Sequence, residues 1–334
     1  MTMKEKVKQA IAHKSIDFVP TNIEITGDFG KSLEKVVDVG NIDIALNNHM
    51  LRKKYKKNRV LGNGDQIDLF GVTWQASPYG GDVGIVKGFP LIDGELEDYT
   101  FPKLNKELAD SIIESLESEK ERYTMFSITM GFFERAWSLY GMENILVDMI
   151  IDEEKAFKIF EGIYEHHWNL LDYILDKNFD AVYFGDDWGQ QKGLIMGPNA
   201  WRTYIKPMVK KLFEKVKSKG KQIVLHSCGD LREIMPDLIE MGVDVYNTVQ
   251  PEIYDLATLK KEYGKDLTFY GGISTQQFLP FATEAQVREE TKKVLDIMMK
   301  DGGYILSPTH AVTNDIPVAN ILALVDEGKK FFGK

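Results

Sequence analysis

The side chains best suited to bind a metal lie in residues 224–230, which read Val-Leu-His-Ser-Cys-Gly-Asp. Cys228 is the only cysteine of the chain, and it follows His226 by two residues at the end of an apolar, strand-like run. Residues two apart in an extended strand point to the same face, so this imidazole and thiol can meet on one ion. Imidazole nitrogen and thiolate sulfur are ligands that Zn²⁺ prefers. The spacing therefore predicts a zinc site.

A second strand-like segment ends in His310, and we expect this residue to be the third ligand. Three protein ligands with an open fourth position are typical of a catalytic zinc site. Asp186 or Asp187, which follow another strand, is a candidate fourth ligand that substrate displaces. Either aspartate could instead cap a helix or hold an imidazole in its tautomer. The alternative for His226 and Cys228 is a buried histidine beside an inert buried thiol.

Polar clusters follow five consecutive strand-like segments, at the positions where a β/α barrel carries its chemistry. We expect Glu134, after the second barrel strand, and Asp187 to act as substrate-facing acids. Helix-face ion pairing and helix capping are their respective alternatives. Asn247, Gln250 and Ser274 lie in the later clusters, and we expect them to bind the cofactor.

Strands and helices alternate with short loops from about residue 104, which favours right-handed parallel β/α units. Seven strands are predicted, at 18–25, 124–129, 181–187, 222–226, 243–249, 267–271 and 303–306. We predict one (β/α)8 TIM barrel domain over residues 1–334, with an N-terminal helix at 2–14. Residues 26–100 form an irregular insertion after the first strand, which could cover the barrel mouth and could hide the eighth strand. A doubly wound open sheet is the alternative, but no Gly-x-Gly-x-x-Gly or Walker-type loop follows a strand.

The composition narrows the classes of function. A net charge of −10 argues against nucleic-acid binding, because phosphates would be repelled. The lysine-rich segment 52–57 is interpreted as a solvated helix or loop face, with a phosphate or anion site as the alternative. A lone cysteine excludes an internal disulfide framework, and no apolar run approaches the roughly 20 residues that cross a bilayer. We therefore expect a soluble cytoplasmic protein that does not engage membranes.

Several motifs of the chain occur together in one known family. Three of them are Gly-Asp-Asp-Trp-Gly-Gln-Gln at 185–191, His-Ser-Cys-Gly-Asp at 226–230 and Pro-Asp-Leu-Ile-Glu-Met-Gly-Val-Asp at 236–244. With Gly-Gly-Ile-Ser-Thr-Gln at 271–276 and Gly-Gly-Tyr-Ile-Leu-Ser-Pro-Thr-His at 302–310, they make the chain resemble the uroporphyrinogen decarboxylase superfamily. The resemblance covers nearly the whole chain and is weak over residues 26–100. It implies a (β/α)8 barrel.

Two branches of that superfamily differ in chemistry. Uroporphyrinogen decarboxylases use no metal and bind their polyanionic substrate through an Arg-rich segment after the first strand. Here residues 22–28 read Asn-Ile-Glu-Ile-Thr-Gly-Asp, with two acids and no arginine. In the cobamide-dependent methyltransferase branch, zinc is held by His-x-Cys and a distant cysteine. His226 and Cys228 match the first two ligands, whereas His310 stands where the family has cysteine.

The resemblance implies a zinc-dependent methyltransferase, the O-demethylase component of a corrinoid system. One thiolate with two imidazoles leaves zinc a better Lewis acid toward oxygen, which favours an O-methyl donor such as a phenyl methyl ether or methanol. Glu134 or Asp187 would position or protonate the leaving oxygen. No Asp-x-His-x-x-Gly motif is present, so the Co(I) corrinoid is expected on a partner protein. Alternatives are methyl transfer from methylcobamide to a thiol or tetrahydrofolate, a metal-free (de)carboxylase or lyase, and a non-catalytic binding protein.

Overall fold

The computed structural model describes residues 1–37, 41–76, 84–92 and 96–333. In that part of the chain the strands are β1 (Met50–Lys54), β2 (Arg59–Val60), β3 (Gln66–Ile67), β4 (Thr73–Trp74), β5 (Val86–Gly88), β6 (Tyr123–Thr129), β7 (Ala181–Gly185), β8 (Gly189–Gln190), β9 (Gly193–Leu194), β10 (Gln222–His226), β11 (Val245–Val249), β12 (Thr268–Ile273) and β13 (Tyr304–Pro308).

The α-helices of the same residues are α1 (Met3–Ile11), α2 (Gly27–Glu34), α3 (Ile42–Ala45), α4 (Lys106–Ser118), α5 (Phe133–Tyr140), α6 (Met142–Ile151), α7 (Glu153–Ile174), α8 (Gly197–Ala200), α9 (Lys206–Ser218), α10 (Met235–Glu240), α11 (Leu256–Tyr263), α12 (Glu284–Met298) and α13 (Val318–Lys330). None of these described helices is both long enough and apolar enough to span a bilayer.

The chain divides into two compact units. Unit 1 comprises Met1–Leu51, Glu119–Thr124 and Val243–Lys334, and unit 2 comprises Arg52–Ser118 and Met125–Gly242. The single domain over 1–334 stays a prediction. Each unit has its own set of parallel strands, and the two sets are described in turn.

Unit 2 carries a parallel set formed by β6, β7 and β10. Tyr183 of β7 is level with Ser127 of β6 and with Val224 of β10. All five residues of β7 are buried, as expected for a parallel strand covered on both faces. Helix α7, which precedes β7 in the chain, buries nine side chains. This part of the chain follows the predicted alternation of strands and helices.

The predicted insertion, 26–100, contains a strand and a small sheet. Residues 50–54 form β1, a strand of the parallel sheet, where the sequence indicated only a solvated helix or loop for 52–57. That interpretation is wrong for Arg52–Lys54, which belong to a half-buried strand although their side chains are basic. Strands β2, β3, β4 and β5 form an antiparallel sheet within this otherwise irregular segment. Residues 38–40, 77–83 and 93–95 of the insertion lie outside the described part.

A buried ion pair ties this antiparallel sheet to helix α5 within unit 2. Arg135 Nη1 lies 2.6 Å from Asp68 Oδ2, and both side chains are buried. The same carboxylate accepts the backbone N–H of Phe70 at 2.9 Å and the indole N–H of Trp74 at 3.1 Å. A buried pair is stable only when its remaining hydrogen-bonding capacity is used, as it is on the Asp68 side.

Unit 1 carries the parallel set β11, β12 and β13. The first predicted strand, 18–25, forms no continuous strand beside them. Instead, isolated parallel bridges join Thr21 to Leu306 and Ile25 to Val312. Between them, the Asn48 side chain accepts the N–H of Ile23 at 2.7 Å and donates to its carbonyl at 3.1 Å. An amide side chain therefore takes the hydrogen bonds that a strand would have received.

The parallel strands number seven in the described part of the chain: β1, β6, β7, β10, β11, β12 and β13. The α/β class and the parallel β/α alternation are thereby confirmed. One of the seven, β1, lies in the segment 26–100 that could hide a further strand. The predicted strand 18–25 is represented among the described residues only by the two bridges at Thr21 and Ile25, so eight strands are not reached there. A complete (β/α)8 barrel is therefore not confirmed.

Candidate metal centre

Two neighbouring strands of unit 2 bring the predicted chemistry to one edge. His226, the last residue of β10, is level with Gly185, the last residue of β7. Because the strands are parallel, the residues that follow them leave the sheet side by side. The N–H of Asp186 donates to the carbonyl of His226 at 3.0 Å, and the N–H of Trp188 donates to Ser227 Oγ at 2.9 Å. These bonds fix the two loops against each other.

Gly229 permits the close approach of the loops. Its φ is +86°, in the left-handed region that favours glycine. A Cβ at this position would lie 2.1 Å from the backbone carbon of Gly189, far inside van der Waals contact. The glycine immediately after the cysteine is therefore required by the backbone path that presents Cys228.

Three potential metal ligands converge at this edge: Asp187, His226 and Cys228. One ligand atom from each lies within 4.8 Å of those of the other two. The Cys228 sulfur is 3.7 Å from His226 Nε2, and that nitrogen is 3.6 Å from Asp187 Oδ1. Asp187 Oδ1 also accepts the backbone N–H of Cys228 at 2.8 Å, which holds the carboxylate beside the thiol. A thiol, an imidazole and a carboxylate form a donor set that suits zinc.

Glu134 belongs to the same neighbourhood. It lies in the first turn of α5, and its carboxyl group accepts the backbone N–H of Asp187. Burial raises the pKa of Glu134 well above its usual range, and the negative charges of Asp187 and Asp186 add to that shift. Burial likewise raises the pKa of the Cys228 thiol, with further contributions from Asp187 and Glu134. The site therefore concentrates acidic groups, which is the environment that attracts a cation.

Asp186 has a structural role, unlike its neighbour Asp187. Its carboxylate accepts the backbone N–H groups of Phe132, Phe133 and Glu134 at 2.8–2.9 Å. It also accepts the indole N–H of Trp188 at 2.5 Å. Burial raises the pKa of Asp186 to about 6, opposed by these four donors. Asp186 therefore caps helix α5 from a distant part of the sequence, which was the capping alternative stated for it.

Two residues beside His226 were not identified from the sequence. The ring of Tyr183 stacks on the imidazole with 6.1 Å between centroids and 22° between planes. The guanidinium of Arg52 lies 4.1 Å from the centroid of the Tyr183 ring, within cation–π distance. Tyr183 lies two residues before Gly185 in β7, so the strand period was the available signal for its orientation. No comparable signal pointed to Arg52.

The remaining predicted residues lie in unit 1. The Asn247 side chain donates to the carbonyl of Tyr270 at 3.1 Å, and Ser274 Oγ accepts the N–H of Gln277 at 2.9 Å and donates to Glu252. Asn247 and Ser274 are therefore engaged within their own unit.

Gln250 is buried directly after β11, and His310 is exposed two residues after β13. The structure brings neither residue into the group of potential metal ligands found among its described residues. The roles expected for Asn247, Gln250, Ser274 and His310 stay predictions.

Comparison with known proteins identifies a family and structures with a similar fold. The uroporphyrinogen decarboxylase (URO-D) family matches residues 94–331. No curated protein matches the sequence. A methyltransferase from Methanosarcina mazei has a TM-score of 0.75 over 99% of this chain and 99% of its own, at 16% identity. The GH18 chitinase ChiB of Flavobacterium johnsoniae covers 92% of this chain and 94% of its own at 11% identity, but its TM-score of 0.40 carries no argument.

Proposed function

Because the chain belongs to the uroporphyrinogen decarboxylase family, we propose that it is a zinc-dependent methyltransferase of that family. It moves a methyl group from an O-methyl donor, such as a phenyl methyl ether or methanol, to the Co(I) corrinoid of a separate protein. The observation that carries the proposal is the convergence of Asp187, His226 and Cys228. The shared fold with a protein described as a methyltransferase agrees with it.

The donor set favours a metal enzyme over a metal-free decarboxylase. Chance clusters of exposed acids are common, but here a sulfur and an imidazole accompany the carboxylate, and the His226 and Cys228 side chains are half-buried. The acidic segment 22–28 also lacks the arginines that a polyanionic porphyrinogen would require. Both features oppose uroporphyrinogen decarboxylation.

We assign His226, Cys228 and Asp187 as the zinc ligands. In this proposal Asp187 is a metal ligand rather than the substrate-facing acid expected from the sequence, because its carboxylate lies beside both other ligands. His310 remains the candidate for a further ligand, as the sequence suggested. When bound, zinc would supply Lewis acidity toward an oxygen atom of the methyl donor.

Glu134 is the residue that we assign to the leaving oxygen of the donor. It lies in the first turn of α5, and its carboxyl group contacts the backbone N–H of Asp187. A carboxyl group there can donate a hydrogen bond to an oxygen and transfer its proton as the methyl–oxygen bond breaks. Asp186 holds the turn that carries Glu134, and Tyr183 fixes the plane of the His226 ring.

The test combines metal analysis with methyl transfer. Purified protein should contain about one zinc per chain, and it should methylate a supplied corrinoid protein from an O-methyl donor. Cys228→Ala should lose both the metal and the activity. Full activity without metal would refute zinc dependence. Transfer only in the opposite direction, from methylcobamide to a thiol, would refute the assigned donor.

A further inference from the structure

Unit 1 contains a cavity of about 280 Å³ that is unrelated to the candidate metal centre of unit 2. Four separate stretches of chain line it: helix α1, residues 17–19, the turn before β1, and the C-terminal end of α13 with the residues after it. The volume is near the lower end for small-molecule pockets. A small ligand would therefore be enclosed by side chains that are distant in sequence.

Two lysines give the cavity its charge. Lys6 extends from α1 and Lys329 from the last turn of α13, and both line the cavity. Neither forms an ion pair with any carboxylate in the described ranges, whereas the neighbouring Lys330 lies 2.6 Å from Asp326. Two ammonium groups at one cavity, neither of them in an ion pair within the described ranges, are a feature of the site.

A buried histidine shows that the two charges act at the same place. His49 lines the cavity and is only 4% exposed. Burial lowers its pKa, and the positive charges of Lys6 and Lys329 lower it further. Both ammonium groups are therefore close enough to affect one imidazole. The one acid of the lining is Asp17; it and Lys329 are both exposed, so water screens both of these charges, whereas Lys6 is half-buried.

Part of the lining is apolar, beside the polar side chain of Asn47. Lys6 Nζ lies 5.0 Å from the centroid of the Phe18 ring, and Val19 and Phe332 complete this wall. A hydrated inorganic ion would leave that wall unused, whereas a molecule with an apolar body would cover it. The combination suits a small amphipathic anion.

We propose that this cavity binds a small organic oxyanion, a carboxylate or phosphate ester with an apolar body, between Lys6 and Lys329. The oxyanion accepts hydrogen bonds from the two ammonium groups, and the apolar body packs against Phe18 and Phe332. Charge-assisted hydrogen bonds of this kind are stronger than those between neutral groups. The proposal does not depend on the methyltransferase assignment, because it uses no residue of the metal centre.

The test is titration calorimetry of the full chain with benzoate, phenyl phosphate and inorganic phosphate. We expect saturable binding of benzoate or phenyl phosphate, weaker binding of inorganic phosphate, and at least a fivefold loss of affinity in both Lys6→Ala and Lys329→Ala. Lys329→Arg should keep most of the affinity because it keeps the charge. Lys292→Ala removes an equal charge from an exposed position outside the cavity and should bind as the wild type does.

The titrations distinguish the possible ligands of the cavity. Binding of benzoate identifies a carboxylate site, and binding of phenyl phosphate alone identifies a phosphate-ester site. No saturable binding of any probe would overturn the proposal. An equal loss in Lys292→Ala would also overturn it, because net charge rather than the cavity would then be responsible.

Discussion

The carboxylate of Asp186 accepts the backbone N–H of Glu134 at 2.8 Å, although 52 residues separate them in sequence. The same side chain also satisfies the N–H groups of Phe132 and Phe133. The first N–H groups of a helix have no partner within it, so a distant carboxylate replaces the usual local cap. The residue adjacent to a proposed zinc ligand therefore positions the proposed acid.

Replacing Asp186 should cost stability through this cap. In Asp186→Asn one carboxylate oxygen becomes an NH₂ group, which cannot accept from an N–H. We expect the free energy of unfolding to fall by about 2–3 kcal/mol in urea titration. Asp255→Asn is the matched control, because Asp255 is an exposed N-cap of α11 and asparagine caps equally well. A loss no greater than in that control would contradict the capping role.

The zinc ligands are tested by affinity rather than by activity. Asp187→Asn should lower zinc affinity by at least about tenfold in competition with a chelator, because it removes an anionic ligand. Asp230→Asn offers a control in the loop that carries Cys228, since that carboxylate pairs with Arg232 instead. Unchanged zinc affinity in Asp187→Asn would exclude the carboxylate from the ligand set. In the same assay, a loss in His310→Ala would identify the imidazole as a further ligand.

The strand ends could be predicted from sequence because apolar runs stop abruptly at polar residues. The observed bounds of β10, 222–226, match the predicted ones, and β7 begins at 181 as predicted but ends at 185, two residues before the predicted end. The His226 and Cys228 pair followed from the two-residue period of a strand. Their proximity to Asp187 required the pairing of β7 with β10, which sequence period alone does not specify.

Other features had no sequence signal because tertiary contacts create them. Strand β1 is rich in basic residues, and Arg52 lies in it over the Tyr183 ring rather than in solvent. A strand at 18–25 would form backbone hydrogen bonds to a neighbouring strand, but the side chain of Asn48 forms some of these bonds instead. Local composition could not reveal either, because each depends on a partner far along the chain.

Gly229 should tolerate alanine much less well than a glycine that is strained only in its backbone. Gly197 has a φ of +75°, and no atom lies within 4 Å of the place that a Cβ would take, so Gly197→Ala measures backbone strain alone. That strain is about 1–2 kcal/mol. Gly229→Ala adds a clash with the Gly189 backbone, and we expect a total loss of about 2–5 kcal/mol. Thermal and urea unfolding of both variants measure the difference. Equal losses of unfolding free energy in the two variants would show that the loops at Gly189 and Gly229 move apart without loss of stability.

Buried His167, which bonds to the backbone just before helix α5, should make the stability of the protein fall in acid. His167 Nε2 lies 2.9 Å from the carbonyl oxygen of Gly131, and Nδ1 is buried with no partner among the described residues. Burial lowers the pKa of His167 to about 3 from 6.5. Between those values the unfolded chain binds a proton that the folded chain does not, so stability falls as pH decreases below 6.5.

This one group should remove about 1.4 kcal/mol of unfolding free energy per pH unit in that window. His167→Gln keeps a donor for Gly131 and cannot titrate. Its unfolding free energy, measured by urea titration from pH 7.5 to pH 5, should therefore decline less steeply than that of the wild type. The two slopes should coincide above pH 7, where the imidazole is neutral in both states. Parallel declines below pH 6 would assign the acid sensitivity to other groups.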